Sequence, residues 1–128
     1  MNLGNLIIRI SIGLLFVWGG VEKFIEGFLG GVGLQAVADM LKGSGLAFLG
    51  DTGTYALGAI LAALELIAGI LVLLGKQLMY AYGFLAFVMF MALILVHIPS
   101  GKWINIMIHI ALFGILAGLA VKEKQNVV

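Results

Sequence analysis

The sequence predicts an all-α, polytopic membrane four-helix bundle with a short interfacial helix between helices one and two. Three observations carry this. The chain is 63% hydrophobic and only 10% charged, with a mean hydropathy of +1.23, against about 25% charged residues in a usual soluble domain. Four windows hold the roughly 20 apolar residues that a spanning helix needs. Two of the three links between them are very short, which forces antiparallel neighbours. The apolar segments lack the polar outer faces of a soluble bundle and the strict alternation of a membrane barrel.

The first span covers Asn5 to Ile25. Its start, MNLGNLIIRISIGLLFVWGG, has neither a strongly basic beginning nor a small-residue cleavage site, so it reads as a retained helix. The second covers Thr54 to Leu74, the third Leu78 to Ile98 and the fourth Trp103 to Val121. The 128-residue length fits a single transmembrane domain. Four spans place both termini on one side. Lys76, Lys122, Lys124 and Arg9 lie on or near that side, and Lys23, Lys42 and Lys102 on or near the other. This four-to-three balance favours cytoplasmic termini.

The link from Glu26 to Gly53 is long and unusually apolar. Within it, Leu34, Val37, Ala38 and Leu41 fall on one helical face, and Gln35, Asp39 and Lys42 on the opposite one. A short helix at the membrane surface uses both faces. Gly30, Gly31, Gly33, Gly43 and Gly45 permit sharp turns around it. The stretch LAFLG, residues 46–50, is expected to tuck back onto the bundle as part of an outer cap, with a lid or re-entrant segment as the alternative.

Glu65, in the middle of AALELIAGI, is the charge that lipid tolerates least. A charged group at the bilayer centre costs about 2.5–3.5 kcal/mol on insertion scales. It is expected to face other helices, on a side made small by Gly58, Ala62 and Gly69. Arg9 is its expected partner, about one turn inside the same end of the bundle, on a face shared with Gly13, Phe16, Gly20 and Lys23. Such a pair either holds two helices in register or forms part of a ligand or proton site.

A second polar group gathers toward the other side. Glu22 and His97 stand near span ends, while Asn105 and His109 share a face at i and i+4. His109 lies about 9 Å deep by the helix rise, and Trp18 stands one turn from Glu22. Together they suggest a shallow cleft. Trp18 and Trp103 equally fit an interfacial aromatic belt, and Lys23 fits a snorkelling cation. Glu22, His97 and His109 do not show the spacing of a metal motif, so no metal site is assigned. Gly114 and Gly118 form a Gly-x-x-x-Gly pair, suited to close helix packing within the chain or in a homo-oligomer. The absence of cysteine excludes thiolate and iron–sulfur chemistry within this chain. A net charge of +1 without a basic cluster leaves nucleic acid without a binding surface.

With those positions in view, the chain resembles the DoxX family of small bacterial four-span membrane proteins. The likeness rests on Arg9 followed by GLLFVWGGVEKF, then ALELIAGILVLLG, then LILVHIPSG. It implies the bacterial inner membrane and a link to oxidoreductase systems, including thiosulfate oxidation coupled to quinone, or to oxidative-stress complexes with soluble partners. By that analogy Arg9, Glu65, Glu22, Lys23 and His97 are candidate site residues. The leading expectation is a quinone-interacting subunit or accessory of a membrane redox system, with no metal or nucleotide redox centre of its own. Lys23, His97 and His109 would donate to the quinone carbonyls, and Glu22 or Glu65 would relay protons. Trp18, Phe16, Phe90 and Tyr82 would supply ring contacts. Two alternatives stand beside it: a small proton-coupled transporter of organic cations using Glu65, and a scaffold that positions a soluble or membrane redox partner.

Overall fold

The computed structural model describes residues 3–27 and 32–127; Gly30 and Gly31, expected at a sharp turn, lie outside the described residues. The described chain is helical throughout, with four helices long and apolar enough to cross a membrane. They lie in α1 (Leu3–Phe24), α3 (Gly50–Leu74), α4 with α5 (Leu78–Ala92 and Ile98–Ser100) and α6 (Trp103–Val127). The all-α, four-span architecture expected from hydropathy is therefore present. The chain divides into two compact units, Met1–Leu73 and Leu74–Val128.

In the first unit α1 and α3 run antiparallel and approach closely through glycine. A Cβ added at Gly13 would stand 2.5 Å from Leu73 Cγ, one at Gly20 2.7 Å from Leu66 Cβ, and one at Gly69 2.9 Å from the backbone nitrogen of Val17. These distances leave no room for a side chain, so the helix backbones set the spacing. The small face predicted around Glu65 is buried, including Gly58, Ala62 and Gly69. Lipid offers apolar groups no reason to leave it, so this association rests on van der Waals contact and polar pairing.

The short amphipathic segment forms α2 (Gly33–Leu41), with Val37 and Ala38 buried and Gln35 and Asp39 exposed as predicted. It packs on the second span, since Val37 Cγ1 lies 3.0 Å from where a Cβ at Gly58 would stand. It is not a separate short helix, however. A π-helical turn at Lys42–Leu46 and a 3-10 turn at Ala47–Leu49 carry the helical path on into α3. Non-helical backbone at Gly45 (φ 98°) and Gly50 (φ 75°) kinks that path at two points. The LAFLG stretch does not tuck back onto the helices: Phe48 is 79% exposed and Leu49 40%.

In the second unit α4 and α6 run side by side, joined by a tight turn through Gly101 (φ 70°). Proline lacks an amide hydrogen and disrupts the ordinary ladder around it. Just before Pro99 the helix widens into a π turn, Leu93–His97, closed by the amide of Ile98 donating to the carbonyl of Leu93. The helix then continues through α5 to Ser100, two residues beyond the predicted end.

Candidate functional site

Two polar centres emerge, one in each unit. In the first, the ammonium of Lys23 donates to both carboxylate oxygens of Glu65, at 3.2 and 3.0 Å, and to the backbone carbonyl of Gly19 at 3.0 Å. All three ammonium hydrogens thus have acceptors. Glu65 is 5% exposed, whereas the Lys23 side chain keeps 27% of its surface. Gly19 takes part through what it lacks: a Cβ there would sit 2.9 Å from Glu65 Oε1. Lys23 therefore turns inward along its own helix to meet the buried carboxylate, instead of extending to the headgroups.

This corrects the expected Arg9–Glu65 pair. The Arg9 guanidinium instead donates from Nε to the Val72 carbonyl at 3.2 Å and from Nη2 to the Leu73 carbonyl at 3.0 Å. These carbonyls belong to the last turn of α3, where the helix leaves its acceptors unpaired. The positive charge also meets the negative end of the helix dipole. Val72 lies about 10 Å along the helix from Glu65 at 1.5 Å per residue. The antiparallel register brings the Lys23 end of α1 to Glu65 and carries Arg9 past it to the far end.

The second centre joins α4 and α6. The rings of His97 and His109 stack with centroids 3.8 Å apart and planes inclined by 34°. Sequence reasoning placed His97 near a span end and His109 about 9 Å deep. The third span continues to Ser100, and across α4 and α6 the two rings meet. The backbone carbonyl of His97 accepts from Ser100 Oγ at 2.8 Å and from the amide of Gly101 at 3.2 Å, so the ring is mounted on a well-paired turn. His109 Nδ1 lies 2.8 Å from the carbonyl of Asn105. A carbonyl only accepts, so Nδ1 carries the hydrogen and, in the neutral ring, Nε2 is left as an acceptor. A second pair of rings bridges the same two helices, Phe90 and Phe113, with centroids 5.4 Å apart.

The remaining candidates differ in exposure. Phe16 and Tyr82 are fully buried, Glu22 is half-buried, and Trp18 is half exposed on the outer side of α1. Among the described residues no three His, Cys, Asp or Glu side chains converge to hold a metal ion. Sequence reasoning marked Gly19 and Gly20 as a point of close approach but did not assign Gly19 its carbonyl bond to Lys23 or its empty space beside Glu65. It also missed the carbonyl of Asn105, since a backbone acceptor leaves no residue-type signal.

The family model described as DoxX matches residues 4–98 of the chain. No curated protein and no solved structure is similar enough to count as a match.

Proposed function

The chain belongs to the DoxX family, and on that premise we propose that it is a quinone-interacting subunit or accessory of a bacterial oxidoreductase system, working beside a redox protein partner in the inner membrane, with both termini cytoplasmic. The observation that carries this reading is the stacked His97–His109 pair, with the Nδ1 hydrogen of His109 held on Asn105. A fixed tautomer is what a proton-handling histidine needs: one nitrogen is anchored and the other is free to exchange. The donor set fits a quinone head, which asks for one or two hydrogen-bonding groups beside flat apolar walls. Phe90 and Phe113 provide apolar ring surface on the same helix pair.

When bound, a quinone supplies the electron-carrying ring; the chain supplies proton handling. His109 Nε2 accepts a hydroxyl hydrogen in the neutral state and donates to a carbonyl oxygen once protonated. His97 keeps the neighbouring ring in place. In this reading the amphipathic segment of α2 lies at the membrane surface, with Gln35 and Asp39 toward the headgroups. Lys23 and Glu65 act together as a register lock, because the Lys23 hydrogens are all engaged within the first unit.

The test is saturable binding of ubiquinone and menaquinone analogues to the purified protein in lipid nanodiscs. Loss of one good hydrogen bond in His109→Gln should weaken binding by about tenfold. Folded protein that binds neither analogue overturns the proposal. Cation export through Glu65 is the second reading, since this carboxylate is buried at membrane depth and already holds an ammonium group. An incoming cation there must displace Lys23. Proton release on adding substrate, lost in Glu65→Gln, is the signature that separates the two.

A further inference from the structure

The segment between α2 and α3 forms an apolar hook with a polar clasp. Its base is closed by the ion pair of Lys42 with Asp51. Between these charges the chain reads GSGLAFLG, with no ionisable group. The 3-10 turn Ala47–Leu49 is bounded by the non-helical kinks at Gly45 and Gly50 and presents Phe48 and Leu49 outward. A Cβ built at Gly43, Gly45 or Gly50 would meet nothing within 4 Å. Three separate points on the hook thus stand clear of the other described residues of the first unit.

We infer that this hook inserts into the lipid leaflet as a second, non-spanning anchor. Three features select lipid as its occupant. The spanning helix α3 begins at the foot of the hook, so the clasp charges lie where a membrane surface must be. Exposed apolar residues of α3, Ile60, Leu64 and Ile67, share one helical face, and Leu49 and Phe48 are exposed just before its start. The polar groups of the preceding segment, Gln35 and Asp39, are bonded to each other and exposed, as headgroup-level residues are. The one cation at the hook, Lys42, is neutralised by Asp51. Attraction to anionic lipid is therefore not what holds it, and insertion depends on apolar burial alone. The inference rests on the four-span membrane architecture and is independent of the quinone reading.

The test places a single fluorophore on the hook. Phe48→Trp is made in a full-length chain whose Trp18 and Trp103 are replaced by Phe, and reconstituted in phosphatidylcholine vesicles. Emission should be blue-shifted and shielded from acrylamide. Lipids brominated near the glycerol should quench it more than lipids brominated near the chain ends, because interfacial anchors sit about 5–10 Å into the headgroup and acyl boundary. Adding phosphatidylglycerol or salt should change none of this. Leu49→Trp gives the same readout if Phe48→Trp fails to fold. Emission open to acrylamide overturns the inference, since the hook is then in water. Emission shielded from both acrylamide and brominated lipid also overturns it, since a protein surface then covers the hook.

Discussion

Replacing Lys23 by methionine isolates the energetic role of the buried ion pair. The methionine stem fills similar space but takes away three hydrogen bonds, two of them to a carboxylate that is 5% exposed. Removing one partner of a fully buried pair costs about 3–5 kcal/mol. Lys23 retains a quarter of its surface, and the solvent screening this allows reduces the expected loss to about 2–3 kcal/mol. That corresponds to roughly a 30- to 150-fold shift toward the unfolded state, at a factor of ten for each 1.4 kcal/mol. The assay is reversible denaturant unfolding in bicelles, followed by helical circular dichroism. Glu65→Gln in the Lys23→Met background should restore most of the loss, because no charge is then stranded. A Lys23→Met midpoint equal to the parent, or a double variant whose cost is the plain sum of the singles, refutes this account.

The same unfolding assay checks four further expectations. Arg9→Met should cost about 2 kcal/mol, because it frees two carbonyls at the end of α3 from charge-assisted hydrogen bonds; Arg9→Lys should recover less than half, lacking the forked donor. Gly69→Ala should cost about 1–3 kcal/mol by pushing Cβ into the Val17 backbone, and spin labels on α1 and α3 should report a wider separation. Gly114→Ala and Gly118→Ala should instead stabilise by about 0.5–1 kcal/mol each, since their Cβ positions are open; a loss, together with a smaller mass in native mass spectrometry, would place a second copy of the chain on that face. Lys42→Met should leave the midpoint unchanged, because its Asp51 partner is fully exposed.

The helices were legible because lipid imposes a composition on them. Twenty apolar residues in a row have few alternatives to a span, and the bends at Gly45 and Gly101 follow from a residue that tolerates left-handed backbone. Glu65 was legible as buried for the same reason: lipid makes an isolated carboxylate expensive wherever it faces outward. Its partner was not legible, because the choice between Arg9 and Lys23 turns on helix register. Register is set by glycine contacts at Gly13, Gly20 and Gly69, which carry no directional label in the sequence. The histidine pair was hidden by a smaller effect. A π turn and two extra residues of helix beyond the predicted end, both around Pro99, depart from the regular helix on which depth is reckoned, and neither carries a residue-type signal.

The polar pairing between α1 and α3 also bears on how the chain enters the bilayer. The first span brings Lys23 and Arg9; the Glu65 carboxylate and the Val72 and Leu73 carbonyls that pair with them arrive only when α3 has been synthesised. A second span released alone would present Glu65 to hydrocarbon at about 2.5–3.5 kcal/mol. Both helices are better accommodated if they leave the insertion machinery as a closed hairpin, with the first span waiting at the exit for its counterpart. The pairing that ties the two spans in the mature protein thereby favours their insertion as a single unit.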